Sequence, residues 1–385
     1  MIKVAFFADI LSKDFDGASR TMFQIISRID SSKYSFNYIT GHDVMESSDI
    51  PQSNRYETSS VSVPFQKRYK MAIPGLENQK LKRKMKMINP DIIHIATPSL
   101  LGQWAVKYAN KNGIPVITIF HTYFSSYLQY YFKNAKWLVS PIVKYLNKVQ
   151  RNFYNACNVV LVPSLSMKEE LIKIGVDTDK ITIWERGINK GLFNPQNKDV
   201  DYIQNLVGNR RKNILFVSRL VWEKNLEDLI SLYKLVSEKN LPYNFIVAGS
   251  GHAEKKVKEE MPSATFTGNL THKELSKLYA SVDILFFPSI SETFGNVVLE
   301  GLASGTPAIV ANKGGTKDMI QDGYNGYICK NGDINEYLLK ITEILEDDNS
   351  LRSLSDNAYD SSKKFNWNDL TIRYFNLLEQ YALKS

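Results

Sequence analysis

Short apolar bursts, each too brief for a helix and each closed by a proline, a glycine or a polar turn, recur along the whole chain. In the first half they read IKVAFFADI, FNYIT, DIIHIATP (91–98), PVITIFHT (115–122) and NVVLVPS (158–164). In the second half they read NILFVSRL (213–220), NFIVAGSG (244–251), ATFTGN (264–269), DILFFPS (283–289) and PAIVAN (307–312). Continuous apolar runs of this length belong to strands buried on both faces, which is the signature of a parallel sheet. Helical patterns lie between them, so the plan is strand–helix alternation and a doubly wound sheet. At 385 residues the chain exceeds what one core organises, and the pattern starts twice. The fold class expected is therefore α/β, with two Rossmann-like domains facing each other across a cleft. Their expected spans are 1–195 and 206–366, joined through the polar stretch FNPQNKDVDYIQN (193–205), which carries Pro195 and no clear strand signal. The last stretch, WNDLTIRYFNLLEQYALKS, spaces its apolar residues as an amphipathic helix, and the simplest place for it is against the second domain.

Composition excludes several classes. With 43% hydrophobic and 23% charged residues and no apolar run near the ~20 residues that span a bilayer, the chain reads as globular, neither disordered nor transmembrane. The opening apolar run lacks a cleavage site and soon meets acidic residues, so it reads as a first strand, not a signal peptide. Cys157 and Cys329 lie far apart, fit reduced thiols in a cytosolic protein, and build no metal cluster. The net charge of +8 admits nucleic acid, an anionic membrane or small anions as partners. Basic residues concentrate at Lys67, Arg68, Lys70, Lys80, Lys82, Arg83, Lys84 and Lys86, and again at Lys133, Lys136, Lys144, Lys148 and Arg151 among aromatic residues. Two readings stay open for these groups: peripheral contact with an anionic membrane, or a solvated charged face. Nucleic acid ranks lower, because no nucleic-acid motif is present.

The stretch with the most chemistry is SETFGNVVLEGLASG (291–305), directly after the DILFFPS burst. A strand that ends in a glycine turn and opens a helix aims free N–H groups and the positive end of the helix dipole beyond the sheet, where phosphate is the usual guest. Phe294, Gly295 and Asn296 form that turn, with Glu292 before it and Glu300 about two turns into the helix. On so small and apolar a helix Glu300 is placed to accept two hydroxyls. The bland alternative makes Glu292 a dipole partner and Glu300 a surface residue.

Arg219 and Lys224 in VSRLVWEKN follow the first strand of the second half and suit a diphosphate, whose departing charge they would neutralise. Against this stands a solvated Lys224 and an Arg219 paired with Glu223. His121 closes a strand and could bond a substrate oxygen; His94, mid-strand, reads as a core residue, and His42, His252 and His272 carry no role. Gly17 lets backbone N–H groups near an anion, on the strength of one glycine. Gly249 and Gly251 would let a ligand approach the backbone, without the third glycine of a dinucleotide fingerprint. Gly314 and Gly315 make a further strand-end turn. The acidic Asp14-Phe15-Asp16 could suggest a metal, but similar pairs recur at Asp177 and Asp199, so no metal site is expected.

Together these residues resemble glycosyltransferase family 4, retaining enzymes of the GT-B fold, over nearly the whole chain. The most specific match is the family's pair of glutamates with seven residues between them, Glu292 and Glu300, followed by GLASGTPAIVANKGG. VSRLVWEKN, VAGSG, FHT (120–122) and WERGINKGLFNP (184–195) support it, and the last two look most like members acting on lipids or lipid-linked acceptors, sulfoquinovosyl- and mannosyl-transferring relatives among them. The resemblance implies a nucleoside diphosphate sugar (a UDP- or GDP-sugar) as donor substrate, with no cofactor. It implies that Arg219 and Lys224 clamp the diphosphate and that Glu300 holds the ribose hydroxyls. Glu292 and the Phe294–Gly295 turn would hold sugar and phosphate, and His121 would contact the transferred sugar or the acceptor. It also implies a C-terminal helix that crosses back onto the first domain. Two positions depart from the family pattern: Gly17-Ala18 replaces a glycine pair, and Asp318 stands where a glutamate is usual. No side chain is a convincing general base, so positioning and charge stabilisation would carry a metal-independent transfer, a donor phosphate oxygen taking the acceptor's proton. A hydrolysing sugar-nucleotide epimerase of the same fold and a non-catalytic sugar- or lipid-binding module are the rival readings.

Overall fold

The computed structural model of the chain describes residues 1–12, 17–41, 54–63, 66–121 and 136–383. Asp14-Phe15-Asp16, His42 and the run 122–133 lie outside the described residues, as do the side chains of Lys67, Arg68, Lys136 and Trp137.

Fifteen strands are described. Those of the first half are β1 (Ile2–Ala8), β2 (Tyr34–Thr40), β3 (Arg55–Glu57), β4 (Ser60–Val63), β5 (Gln66–Ala72), β6 (Ile92–Ile95), β7 (Val116–Ile119), β8 (Val159–Val162) and β9 (Ile181–Ile183). Those of the second half are β10 (Lys212–Val217), β11 (Tyr243–Ala248), β12 (Thr265–Gly268), β13 (Ile284–Phe287), β14 (Ala308–Ala311) and β15 (Gly326–Cys329). They form a seven-stranded sheet in the order β3-β2-β1-β6-β7-β8-β9 and a six-stranded sheet in the order β12-β11-β10-β13-β14-β15, with β4 and β5 as a separate antiparallel hairpin. All ladder pairs in the two large sheets are parallel. Side chains alternate between faces, so each sheet feeds two cores. Val4 and Phe6 enter one face of the first sheet and Ala5 and Phe7 the other; Ile214 and Phe216 enter one face of the second, Leu215 and Val217 the other.

The order reverses between β1 and β6 in the first sheet and between β10 and β13 in the second. In open parallel sheets the loops beyond the carboxyl ends of the strands diverge at such a reversal and leave a crevice for a ligand. The β10 and β13 loops carry Lys224 and Glu292.

The chain changes sheets ahead of Pro195: Trp184 is in a core of the first sheet and Phe193 in a core of the second. The polar stretch that suggested a linker holds a helix, Val200–Val207, whose Ile203 is buried under the second sheet. The return crossing runs alongside the outward one. Ile188 N donates to Phe365 O at 3.1 Å, Ile188 bridges Asn366, and a side chain on Gly187 would strike the Trp367 ring at 2.6 Å.

The terminal helix Trp367–Ala382 buries Leu370, Tyr374 and Leu378 in the first sheet's core, not the second's. Tyr374 hydroxyl meets His94 Nδ1 at 2.9 Å, and the His94 ring stacks on Phe6 with centroids 4.3 Å apart. Burial pushes that imidazole down to about 3, so it is a neutral core residue. Cys157 and Cys329 are buried free thiols. No helix among the described residues is long and apolar enough to cross a membrane.

Candidate functional site

Four fully buried residues, Ile284–Phe287, fix β13 in the middle of its sheet and aim the loop after it into the crevice. The loop turns at Gly295, whose φ of +94° and whose approach to Thr316 (2.4 Å from where a Cβ would stand) admit only glycine. The helix Asn296–Ala303 starts there with no side-chain cap, so its first N–H groups point outward. The glycine turn after β14 locks onto the same loop: Gly315 N donates to Glu292 O at 2.8 Å, and a Cβ on Gly315 would lie 2.2 Å from Thr293 O. Gly314 and Gly315 thus hold the Glu292 loop by backbone contact.

Lys224 ends a short 3₁₀ turn, Trp222–Lys224, after β10. Its side chain is 7% exposed, its Nζ lies 2.6 Å from Glu292 Oε1 and donates to Ser291 Oγ at 3.3 Å. The solvated alternative for Lys224 is therefore corrected: it is a buried cation joining the two loops. An ammonium has three donors, and these contacts use two. Arg219 is 67% exposed, with Nη2 3.6 Å from Glu223 Oε1, the pairing the sequence offered as its alternative.

Glu300 Oε2 accepts from the Tyr279 hydroxyl at 3.2 Å. Burial pushes its carboxyl up to about 7, while the Tyr279 bond and the charge of Arg20 pull the other way. Arg20 comes from the first helix, Gly17–Ile26, and its Nη1 meets His272 Nε2 at 2.9 Å, so His272, given no role above, bonds across the cleft. Gly17 opens that same helix opposite the Asn296 helix: a Cβ on it would lie 3.8 Å from Asn296 Nδ2. Two helix N-termini therefore face one crevice.

His121 sits at the end of β7, with Nδ1 3.1 Å from Arg186 Nη2. Thr293 Oγ1 donates to the His121 carbonyl at 3.3 Å, which brings the first sheet's histidine beside the second sheet's Glu292 loop. Three further bonds close the same seam. Ser164 Oγ donates to Thr293 O at 2.8 Å, and Asp318 receives Ser166 N at 2.7 Å and Ser166 Oγ at 2.9 Å, so its carboxylate sits on the N-terminus of the helix Leu165–Lys173.

Gly249 and Gly251 follow β11, where the chain passes close to the loop after β10. Their missing side chains make room for the chain itself: a Cβ on Gly249 would stand 1.9 Å from Ser218 O, and one on Gly251 2.3 Å from Leu220 O. Residues that sequence reasoning passed over are Arg20, Tyr279, Arg186 and Ser166. Only Arg186 had a local signal, a cation between Trp184 and Gly187 at a strand end.

Comparison with known proteins adds family and fold. Residues 198–361 match the family described as Glycosyl transferases group 1, and residues 15–191 match Glycosyltransferase Family 4. The sulfoquinovosyl transferase of Arabidopsis thaliana is 30% identical over 76% of the chain, and the match spans 57% of that protein's length. The GDP-mannose-dependent alpha-mannosyltransferase of Corynebacterium glutamicum is 31% identical over 77% of the chain and 68% of that protein. Among solved structures, sucrose-phosphate synthase from Thermosynechococcus elongatus superposes with a TM-score of 0.77 at 18% identity, covering 100% of both chains; it shares the GT-B fold.

Proposed function

The chain belongs to glycosyltransferase family 4, and on that premise we propose that it moves a hexosyl unit from a nucleoside diphosphate sugar to an acceptor hydroxyl with retention of configuration and without a bound metal. The observation that carries the reading is the buried Lys224–Glu292 pair at 2.6 Å, set beside an uncapped helix N-terminus at the point where the strand order reverses. Diphosphate binds there through the helix N–H groups and the remaining Lys224 donor, with Arg219 at the rim. Glu300 takes the ribose hydroxyls, since a carboxylate offers two acceptors to two adjacent donors. The sugar then lies between Glu292 and His121. Catalysis on this reading is positioning plus charge stabilisation: the acceptor oxygen attacks on the face the diphosphate leaves, and a phosphate oxygen takes its proton. Thr293, Ser164 and Asp318 hold the two halves together around the donor.

For the acceptor we propose a lipid or lipid-linked saccharide presented at an anionic surface, with a soluble glycan as the alternative. Lys80, Lys82, Arg83 and Lys86 stand exposed beside Leu76 and Met87, and Lys144 and Lys148 beside Ile142 and Tyr145, on helices whose opposite faces enter one core. The test is product analysis with a panel of UDP- and GDP-sugars, with and without lipid acceptors. Sugar transfer to the acceptor is expected; free nucleotide released equally without acceptor would favour an epimerase, and donor binding without turnover would favour a binding module. Binding to anionic vesicles is expected at low salt and weaker at high salt; no binding at low salt would remove the membrane from the reading.

A further inference from the structure

Arg186 is a guanidinium 6% exposed to solvent, and no carboxylate among the described residues pairs with it. Its neighbours are the Trp184 ring, 5.7 Å from Cζ to centroid, and the His121 imidazole. A buried cation without an anion is costly to keep, and removing it would cost the fold little if it served packing alone. Among the described residues its Nη1 has no hydrogen-bond partner, and neither has His121 Nε2.

The 3.1 Å contact between Arg186 Nη2 and His121 Nδ1 restricts the histidine. A guanidinium only donates, so Nδ1 must be the acceptor and carries no proton. The neutral imidazole then has its proton on Nε2. Protonating Nδ1 as well would set two donors against each other beside a positive charge, and burial, Arg186 and His94 together hold the imidazole's pKa well below its usual range. Among the described residues two donors, Nε2–H and Nη1–H, are thus left unfilled beside the seam where Thr293 of the Glu292 loop reaches the His121 carbonyl.

We propose that Arg186 is a positioning residue that fixes His121 in its Nε2–H tautomer, so that the pair offers donors only, under a positive charge, to an electron-rich oxygen of the bound substrate. His121 is then a hydrogen-bond donor and not a base, in keeping with a transfer that takes its proton acceptor from the donor phosphate. The tautomer stands on the contact geometry alone. The substrate oxygen rests on the nucleotide-sugar reading given above.

The experiment is long-range ¹H–¹⁵N correlation of ring-¹⁵N-histidine protein, with His121 assigned through His121→Gln, on wild type, Arg186→Met and Arg186→Lys, followed by kcat and donor KM. In wild type His121 should show a protonated Nε2 and an unprotonated Nδ1, unchanged from about pH 5.5 to about pH 8.5. Arg186→Met should admit the other tautomer and lower kcat by roughly 10- to 100-fold with a smaller change in KM, and Arg186→Lys, which restores a donor, should recover the tautomer and part of the rate. A wild-type spectrum with the proton on Nδ1 overturns the proposal, and it needs no variant to fold. So does an Arg186→Met protein with unaltered His121 resonances and wild-type kcat. The expected tautomer in a wild-type protein that binds no nucleotide sugar would leave Arg186's hold on His121 standing and overturn the substrate half with the nucleotide-sugar reading.

Discussion

Replacing Glu300 with glutamine should stabilise the free protein at alkaline pH while weakening the donor site. The side chain keeps its size and can still meet the Tyr279 hydroxyl, but it can no longer ionise. Glu300 in the folded protein is raised from 4.5 to about 7 by burial. As pH rises past 4.5 the unfolded chain releases this proton first, so the raised folded value makes stability fall with pH until about 7, after which the loss is constant. A carboxyl displaced this far carries a penalty of ~3 kcal/mol once both states are ionised, most of which develops between about pH 5 and about pH 8. Glu300→Gln should therefore match wild type at about pH 4 and exceed it by about 3 kcal/mol at about pH 8 in urea denaturation. If the carboxylate is the form that accepts the ribose hydroxyls, donor binding near pH 7 should also release roughly half a proton, read by calorimetry in buffers of different ionisation enthalpy. A stability gap that is the same at both pH values would refute the reasoning, because only ionisation of a desolvated Glu300 makes it pH-dependent.

Lys224→Ala removes the cation that joins the two loops and should lower transfer about 10²- to 10³-fold in a steady-state assay, with circular dichroism reporting an intact fold; near-normal transfer would count against the diphosphate site. Asp318→Ala frees Ser166 N and Oγ; because Asp318 is exposed, it should cost under about 1 kcal/mol of stability yet raise donor KM several-fold, with small-angle scattering showing a more open particle. Tyr374→Phe strands His94 Nδ1 in the core and should cost about 1–3 kcal/mol in urea denaturation; a loss below about 0.5 kcal/mol would mean that this bond does not anchor the terminal helix.

The strands were legible because a doubly wound sheet writes itself locally: β1, β6, β7, β8, β10, β11, β13 and β14 are all apolar runs bounded by turn residues. β9 and β15 escaped because three or four residues of mixed polarity carry no periodic signal, and the Val200–Val207 helix was hidden by polar residues that face solvent around Ile203. Glu292 and Glu300 were legible as a spacing across one loop-to-helix junction. Their partners were not: Lys224 lies 68 positions from Glu292, Arg186 lies 65 from His121, and Asp318 lies 152 from Ser166.

By itself, then, the sequence determined the α/β class, the two parallel sheets and the glutamate pair at a helix start, because each depends on residues within a turn or a strand of one another. Tertiary structure decided which charges are spent and which are free. Only the packed chain buries Lys224 against Glu292, turns Gly249 and Gly251 toward the protein's own backbone, raises Glu300, and leaves Arg186 Nη1 and His121 Nε2 without a partner among the described residues. The physical reason is that desolvation and hydrogen bonding depend on what lies within a few ångströms, and sequence distance carries no record of it.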